Sequence, residues 1–549
     1  MADLRFYVTQ EGSLFKGGSG NDTVFNFTGV GSSTTVKGLE GDDLISFANQ
    51  TTAITVAGAA TTVVNSAGNQ SAGFLNALYS GAYESAGTIA FGVKTAGAVT
   101  LSAGTTPHAS AGVQVLGRTG IQNLRSTLIA GGKGNDSIYL GDQLATFDKV
   151  SVRGGAGNDI LGSYNSGANT AGDFGHFSGS EIKGGAGNDS VFAVVSANSS
   201  TSARLVGNAG NDSVAFSATN EANKGFIGGG AGNDTITFVA VSANSNTVKG
   251  GDGADSINFN ASTDAEKGLI NAGSGADTIN LTLGIASSTS VYGGEGKDSI
   301  VASGVTDNGK NVFDAGAGAD TIFFQSAEAD TISASTIAGG AGNDSILLQV
   351  VSAGVVQSGF IQGGAGDDTI IIDAQRVAGS AGVVGSTLKG GAGADSITVS
   401  AVGAGAGSAT FAYDTWKQST LSSMDTLTFN TAAVSAGTTF DSAQILVSVS
   451  MGLTTGVSGA GAVGQVSASG GFVVFSGYAD DNLTARVSAI NAGYTTTGDY
   501  AVFTTDNTTR YLFVQGGTTD LVARLSDDNQ LSAGLGSLIR SGNTIGFAK

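Results

Sequence analysis

The sequence predicts an all-β chain, a right-handed parallel β-roll or β-helix solenoid of about 22-residue coils with a C-terminal β domain. Three observations carry this. A six-residue turn typified by Gly184-Gly185-Ala186-Gly187-Asn188-Asp189 returns fourteen times between Gly17 and Asp395. From Asp189 to Asp320 the last residue of that turn recurs every 21 to 23 residues, at 189, 212, 234, 255, 277, 298 and 320. The composition, with 89 Gly, one Pro and no Cys in 549 residues, suits short strands and tight turns rather than long helices.

Within the turn the fourth position is Gly and the sixth is Asp in all fourteen copies. The acidic positions are Asp22, Asp43, Asp136, Asp159, Asp189, Asp212, Asp234, Asp255, Asp277, Asp298, Asp320, Asp344, Asp368 and Asp395. A backbone that must take positive φ selects Gly, and a hard cation held through oxygen selects carboxylates and peptide carbonyls. The pattern therefore points to multiple Ca2+ ions, with these Asp residues as ligands. The turn glycines would wrap each ion: Gly155, Gly157, Gly185, Gly187, Gly230, Gly232, Gly251, Gly253, Gly294, Gly296, Gly340, Gly342, Gly364 and Gly366. Leu39, Asn208, Ala272 and Ala315 replace one of the first two glycines, and looser or empty sites are expected there.

An aliphatic residue stands two positions after each Asp, as Val191 does after Asp189, and another stands two positions before each turn, as at Ile182, Ile227, Val248 and Leu388. Both flanks should point inward. Each coil reads as turn, short strand (Ser256-Ile257-Asn258-Phe259), irregular second corner (Ala261 to Ala265) and return strand (Gly268-Leu269-Ile270). Calcium would then form a single row along one edge. With parallel strands about 4.8 Å apart, the eleven steps from Asp136 to Asp395 should rise roughly 50 Å. Carboxylates at that spacing repel one another unless cations lie between them, so folding should require calcium.

Taken in order, residues 1–43 hold the first two turns, and residues 44–129 are an Ala/Thr/Gly-rich stretch without the motif. That stretch reads as a β insertion or as degenerate coils, with Asp43 facing it. Residues 130–399 form the calcium solenoid. Residues 400–549 turn to longer strands with aromatic residues, such as Phe472 to Phe475, Tyr511 to Val514 and Leu521 to Leu525, and read as a β domain closing the stack.

The turn with its flanks is similar to the G-G-x-G-x-D-x-U-x repeat of the RTX (hemolysin-type calcium-binding) family over most of residues 17 to 399. A typical member carries the nonapeptide at both corners of a shorter coil, whereas here one corner per coil has it. The resemblance implies type I secretion through an uncleaved C-terminal signal, and the region around Tyr511 to Leu525 resembles the end of such substrates. Only residues 1–16 precede the first turn, which leaves no room for an upstream effector domain. A chain mostly of repeats resembles RTX-type bacterial S-layer proteins and the oscillin-like surface-fibril proteins of cyanobacteria.

The net charge of -20 argues against nucleic acid and against an anionic membrane as partners. No apolar run is long enough to span a bilayer, and the N-terminus has no signal-peptide core. Nor does the sequence point to an enzyme. His108 and His176 are isolated, there is no Cys nucleophile, and no Lys follows the glycine-rich turns to bind phosphate. The regular carboxylates are accounted for as calcium ligands, although residue types alone leave a polysaccharide-active β-helix enzyme open. The leading expectation is a secreted, cell-surface structural protein that polymerises with itself into a layer or filament through calcium. A calcium-dependent adhesin is the alternative, with cell-surface polysaccharide a possible partner in either case.

Overall fold

The computed structural model describes residues 128–140, 146–163, 176–195, 200–307, 309–326, 331–350, 355–374, 383–401, 408–413, 418–430, 483–493, 500–504, 509–515 and 520–527, together with the backbone of short strands elsewhere. It is a parallel β-solenoid. The chain divides into two compact units, Met1–Asp264 with Gly268–Ala272, and Ala265–Lys267 with Gly273–Lys549.

In both units one coil is a glycine turn, an outgoing strand, a tight corner and a six-residue return strand. Return strands such as Glu181–Ala186, Thr247–Asp252 and Ser290–Glu295 share a pattern in which the second and fourth residues are buried. The fourth of these is the first glycine of the turn, so the buried face runs straight into the motif. Apolar residues two positions past the motif Asp, Val191, Val214 and Ile236 in the first unit and Ile279, Ile300, Ile322, Ile346 and Ile370 in the second, are at most 1% exposed. They stack on their own counterparts, Ile300 on Ile322 and Ile346 on Ile370. Burial of each such side chain contributes about 1.5–3 kcal/mol. Register also stacks Phe216 on Phe238 and Phe238 on Phe259, with ring centroids 5.4 and 4.5 Å apart.

The second corner differs from its expected form. Ala261 to Ala265 is not irregular: Ser256–Glu266 is one continuous strand, and the chain turns at Lys267. Every described corner has one residue with φ between 48° and 63°: Lys149, Gly179, Ser202, Lys224, Ser245, Lys267, Ser288, Lys310, Ala334, Ser358 and Gly385. Each lies ten residues before a motif Asp. The next residue is small, and where it is polar its side chain bridges coils. Asn246 accepts from the Gly225 N–H and donates to the Ala222 carbonyl, and Asn311 does the same with Thr289 and Ala286. Because corner and turn keep a fixed separation, coils of 21 to 30 residues differ only in the outgoing segment.

The same holds across the motif-free stretch. Strand Thr35–Lys37 pairs with Leu128–Lys133, Lys37 opposite Ala130, and Leu44–Ser46 pairs with Ser137–Leu140, Leu44 opposite Ser137. The strands on either side of residues 38–43 therefore pair in register with those on either side of the turn of Asp136; Asp43 itself, expected to face the motif-free stretch, lies outside the described residues.

Parallel stacking also continues past residue 399. Ser408–Tyr413 lies on Val383–Ala392, and Asp425–Asn430 lies on Ser396–Ala401. Strand Leu521–Asp527 then pairs parallel to Asp425–Asn430 and antiparallel to Arg510–Val514. The β-only expectation for this region misses one helix, Leu483–Gly493, whose Val487 and Ile490 pack with Ala501, Phe503, Tyr511, Phe513 and Val522.

Candidate metal centre

The turn is built on two positions whose backbone strongly favours glycine. At the second and fourth motif positions, Gly155, Gly157, Gly185, Gly187, Gly230, Gly232, Gly251, Gly253, Gly294, Gly296, Gly340, Gly342, Gly364 and Gly366 have φ between 116° and 141°. A Cβ on any of them would fall 1.6–2.2 Å from the carbonyl oxygen of the neighbouring coil's turn. The chain thus needs Gly twice over, for backbone conformation and for the approach of one turn to the next. Asn208 takes the second position with φ of 91°, a conformation that costs a side-chain-bearing residue free energy.

The first glycine has another role. A Cβ there would lie 2.0–2.7 Å from an Oδ2 of the same coil's Asp, as at Gly184 against Asp189 or Gly363 against Asp368. The missing side chain leaves the pocket into which the carboxylate folds. Ala272 and Ala315 put a methyl group into that position in the coils of Asp277 and Asp320, the physical basis for expecting looser sites there.

The carboxylates are laddered within each unit. In the first, the backbone N–H groups of Asp136, Asp159, Asp189, Asp212 and Asp234 each donate to Oδ1 of the next Asp in line, reaching Asp255. In the second, Asp277, Asp298, Asp320, Asp344 and Asp368 do the same as far as Asp395. All these bonds are 2.7–2.9 Å long, and the Asp residues are 1–3% exposed. Asp22 and Asp43 lie outside the described residues. A second ladder runs the opposite way through the fifth motif position, where Asn135, Asn158, Asn188, Asn211 and Asn233 accept from the backbone of the following coil at 2.7–2.8 Å.

The other carboxylate oxygen is what the protein leaves unsatisfied. Oδ2 of Asp189, Asp212, Asp234, Asp298, Asp320, Asp344, Asp368 and Asp395 is buried without a hydrogen-bond partner. Burial pushes the Asp189, Asp234, Asp298 and Asp395 carboxyls up to about 6 and Asp368 up to about 7, against the lowering effect of the backbone N–H each accepts. Neighbouring carboxylates raise them further, as Asp395 and Asp344 do Asp368. A buried anion lacking one partner costs several kcal/mol, and a divalent cation at Oδ2 would remove that cost.

The donor set fits a hard cation. Among the described residues no group of three or more His, Cys, Asp or Glu side chains could hold a metal ion by itself. Each turn brings one carboxylate, and the remaining donors must be peptide oxygens, which the stacked glycines place in closely spaced rows. Oxygen-only coordination mixing carboxylate and carbonyl is calcium chemistry. A model of the RTX calcium-binding nonapeptide repeat (4 copies) matches residues 126–143, 239–264, 305–323, 329–347 and 359–371. The chain carries RTX calcium-binding repeats. Each matched window holds at least part of one of the turns described above, and a search of curated proteins gives no match. The RTX repeat is a calcium-binding repeat, so the family and the orphaned oxygens agree on the ion.

Two acidic residues escaped the sequence reading. Asp425 extends the second ladder one step, its Oδ1 accepting from the Asp395 N–H at 3.0 Å. It sits in no glycine turn, but the Asp-Thr-Leu run at 425–427 repeats the polar-then-aliphatic signature that follows the motif Asp residues. Asp314 lies just before the turn of Asp320, and its charge raises the carboxyls of Asp320 and Asp344.

Proposed function

We propose that this is a secreted calcium-dependent structural protein that polymerises with itself into a bacterial surface layer or extracellular filament. The observation that carries the reading is the unbroken carboxylate ladder in each unit: nearly every coil is devoted to stacking turns and holding one charge. The Asp residues at all fourteen turns would serve as ligands, with peptide oxygens of the turn glycines completing each shell. When bound, the cation supplies positive charge between carboxylates of adjacent coils. The chain's residues supply register, through the Asp and Asn ladders, and exclusion of water, through the aliphatic flanks. The stack would then be rigid where calcium is plentiful and loose where it is scarce, which suits export of an unfolded chain and folding outside the cell. Among the described residues no helix is long and apolar enough to cross a membrane, and residues 400–549 would carry assembly contacts and the export signal.

A second reading, a calcium-dependent glycan adhesin, draws on the outer sheet face. Thr278, Ser299, Thr321, Ser345, Thr369 and Ser396 stack in register there as a row of hydroxyls. Electron microscopy of the purified chain with calcium and with chelator separates the two. Ordered sheets or fibres that dissolve in chelator are expected; monomers under both conditions, with calcium-dependent retention on polysaccharide, would favour the adhesin.

A further inference from the structure

The carboxylate ladder of the second unit runs one step past the last glycine turn. The Asp395 N–H donates to Asp425 Oδ1 at 3.0 Å, as the Asp368 N–H donates to Asp395 Oδ1 at 2.9 Å. Strand register agrees, since Ser396 pairs with Thr426 and so sets Asp425 beside Asp395. No glycine turn precedes Asp425. Its coil nevertheless treats the carboxylate as a motif coil does: Asp425 is 0% exposed, and its Oδ2, like that of Asp395, is buried without a hydrogen-bond partner.

The backbone of Asp425 is held by the protein itself. Its N–H donates to the Ser419 hydroxyl at 2.9 Å, and Ser419 donates to the Val522 carbonyl. Strand Leu521–Asp527 lies beyond, with Ala523 opposite Asp425, and brings no carboxylate to that position.

A third unsatisfied oxygen stands with the two carboxylates. Thr387 pairs with Thr410 and Leu388 with Phe411, so continuing the register sets Tyr413 beside Gly390, where a Cβ would lie 2.2 Å from Asp395 Oδ2. Tyr413 is 3% exposed, and its hydroxyl is also buried without a hydrogen-bond partner. Burial raises the phenol well above its usual range, and the charge of Asp425 raises it further. Burial likewise pushes the Asp425 carboxyl up to about 8, against the lowering effect of the Asp395 N–H, and the charge of Asp395 adds to the rise. Buried oxygens without partners cost free energy, and adjacent buried carboxylates repel. One divalent cation balances two carboxylates and accepts neutral oxygen beside them.

We propose that Asp395, Asp425 and Tyr413 form a further calcium site outside the glycine turns, in which Oδ2 of each carboxylate supplies the charge and the phenol supplies a neutral oxygen. The proposal rests on the calcium reading and extends it to a coil that the motif does not mark. Because Asp425 is tied through Ser419 to Val522, this ion also fastens strand Leu521–Asp527 to the last coil.

The test counts calcium bound per full-length chain by equilibrium dialysis, at the lowest calcium concentration that saturates the native protein. Asp425→Asn keeps an oxygen for the Asp395 N–H and removes only the charge, and Asp234→Asn does the same at a motif turn in the other unit. Both variants should fall short of the native count by about one ion. A shortfall in Asp234→Asn with the native count in Asp425→Asn overturns the proposal and leaves the calcium reading standing, whereas the native count in both contradicts that reading and takes the proposal with it. Should Asp425→Asn not fold, Tyr413→Phe gives an independent answer, because it keeps both carboxylates. It should fall short at the same calcium concentration and recover the native count when calcium is raised tenfold. The native count at both concentrations would show that no ion reaches this hydroxyl and would overturn the proposal.

Discussion

Substituting Gly232 with Ala isolates the stacking of one turn on the next. Gly232 has φ of 122°, and a Cβ there would lie 2.2 Å from the Gly210 carbonyl oxygen and 2.9 Å from Asn211 Oδ1. Holding a non-glycine residue in such a conformation costs about 1–3 kcal/mol. The steric clash adds about 1–3 kcal/mol, because the obstructing atom is backbone and cannot swing aside without parting the coils. The sum, roughly 2–6 kcal/mol, is a large part of a typical domain's stability. Gly228→Ala is the control. That glycine lacks positive φ, and its added Cβ would meet Phe226 Cε1 at 3.0 Å, a ring that can turn, so the change should stay within about 1 kcal/mol. Thermal melting in saturating calcium, followed by circular dichroism, should place Gly232→Ala below the control by on the order of 10 °C. Melting of the two variants within about 2 °C of each other would refute the claim that turn-on-turn contact demands this glycine.

Three further outcomes follow from the ladder. Asp234→Asn keeps an oxygen for the Asp212 N–H but removes the buried charge, so it should weaken calcium binding several-fold and stabilise the chain in chelator; effects of the same sign would contradict the account. The pH response should also invert with calcium. Carboxyls raised from 3.8 to about 6 or 7 stabilise the fold when protonated, and that stability is lost as pH rises through 6 to 7. In chelator, strand signal should therefore be greater at pH 5 than at pH 8, while calcium affinity, which requires the ionised form, should fall from pH 8 to pH 5. Lastly, because strands Thr35–Lys37 and Leu44–Ser46 are in register with the strands flanking the turn of Asp136, replacing residues 47–122 with a short flexible linker should leave the calcium midpoint of the stack within about twofold; loss of calcium-induced strand signal would show that the segment is needed for stacking.

The glycine turn and its flanks were legible in the sequence because every position answers to a constraint within one or two residues: positive φ, a carboxylate pocket, an inward aliphatic. The opposite corner was not. Its left-handed residue is Lys, Ser, Ala or Gly indifferently, being a single turn residue, and only the constant ten-residue distance to the motif Asp betrays it. Asp425 escaped because no glycine turn precedes it, and its N–H is held by the Ser419 hydroxyl instead. The pairing of Leu44–Ser46 with Ser137–Leu140 depends on strand register across the motif-free stretch, which local pattern does not encode. Leu483, Val487 and Ile490 have helical spacing, but three apolar residues among Ala, Ser and Thr resemble the rest of a strand-rich chain.

The central claim is that buried carboxylates make this fold conditional on calcium. Far-ultraviolet circular dichroism of the full chain at pH 8, titrated with calcium from chelator and back, tests it most directly. The account predicts that strand signal is lost in chelator and returns in a steep, cooperative transition as calcium is added, because each ion couples two coils. A strand spectrum that is the same in chelator as in calcium would contradict it.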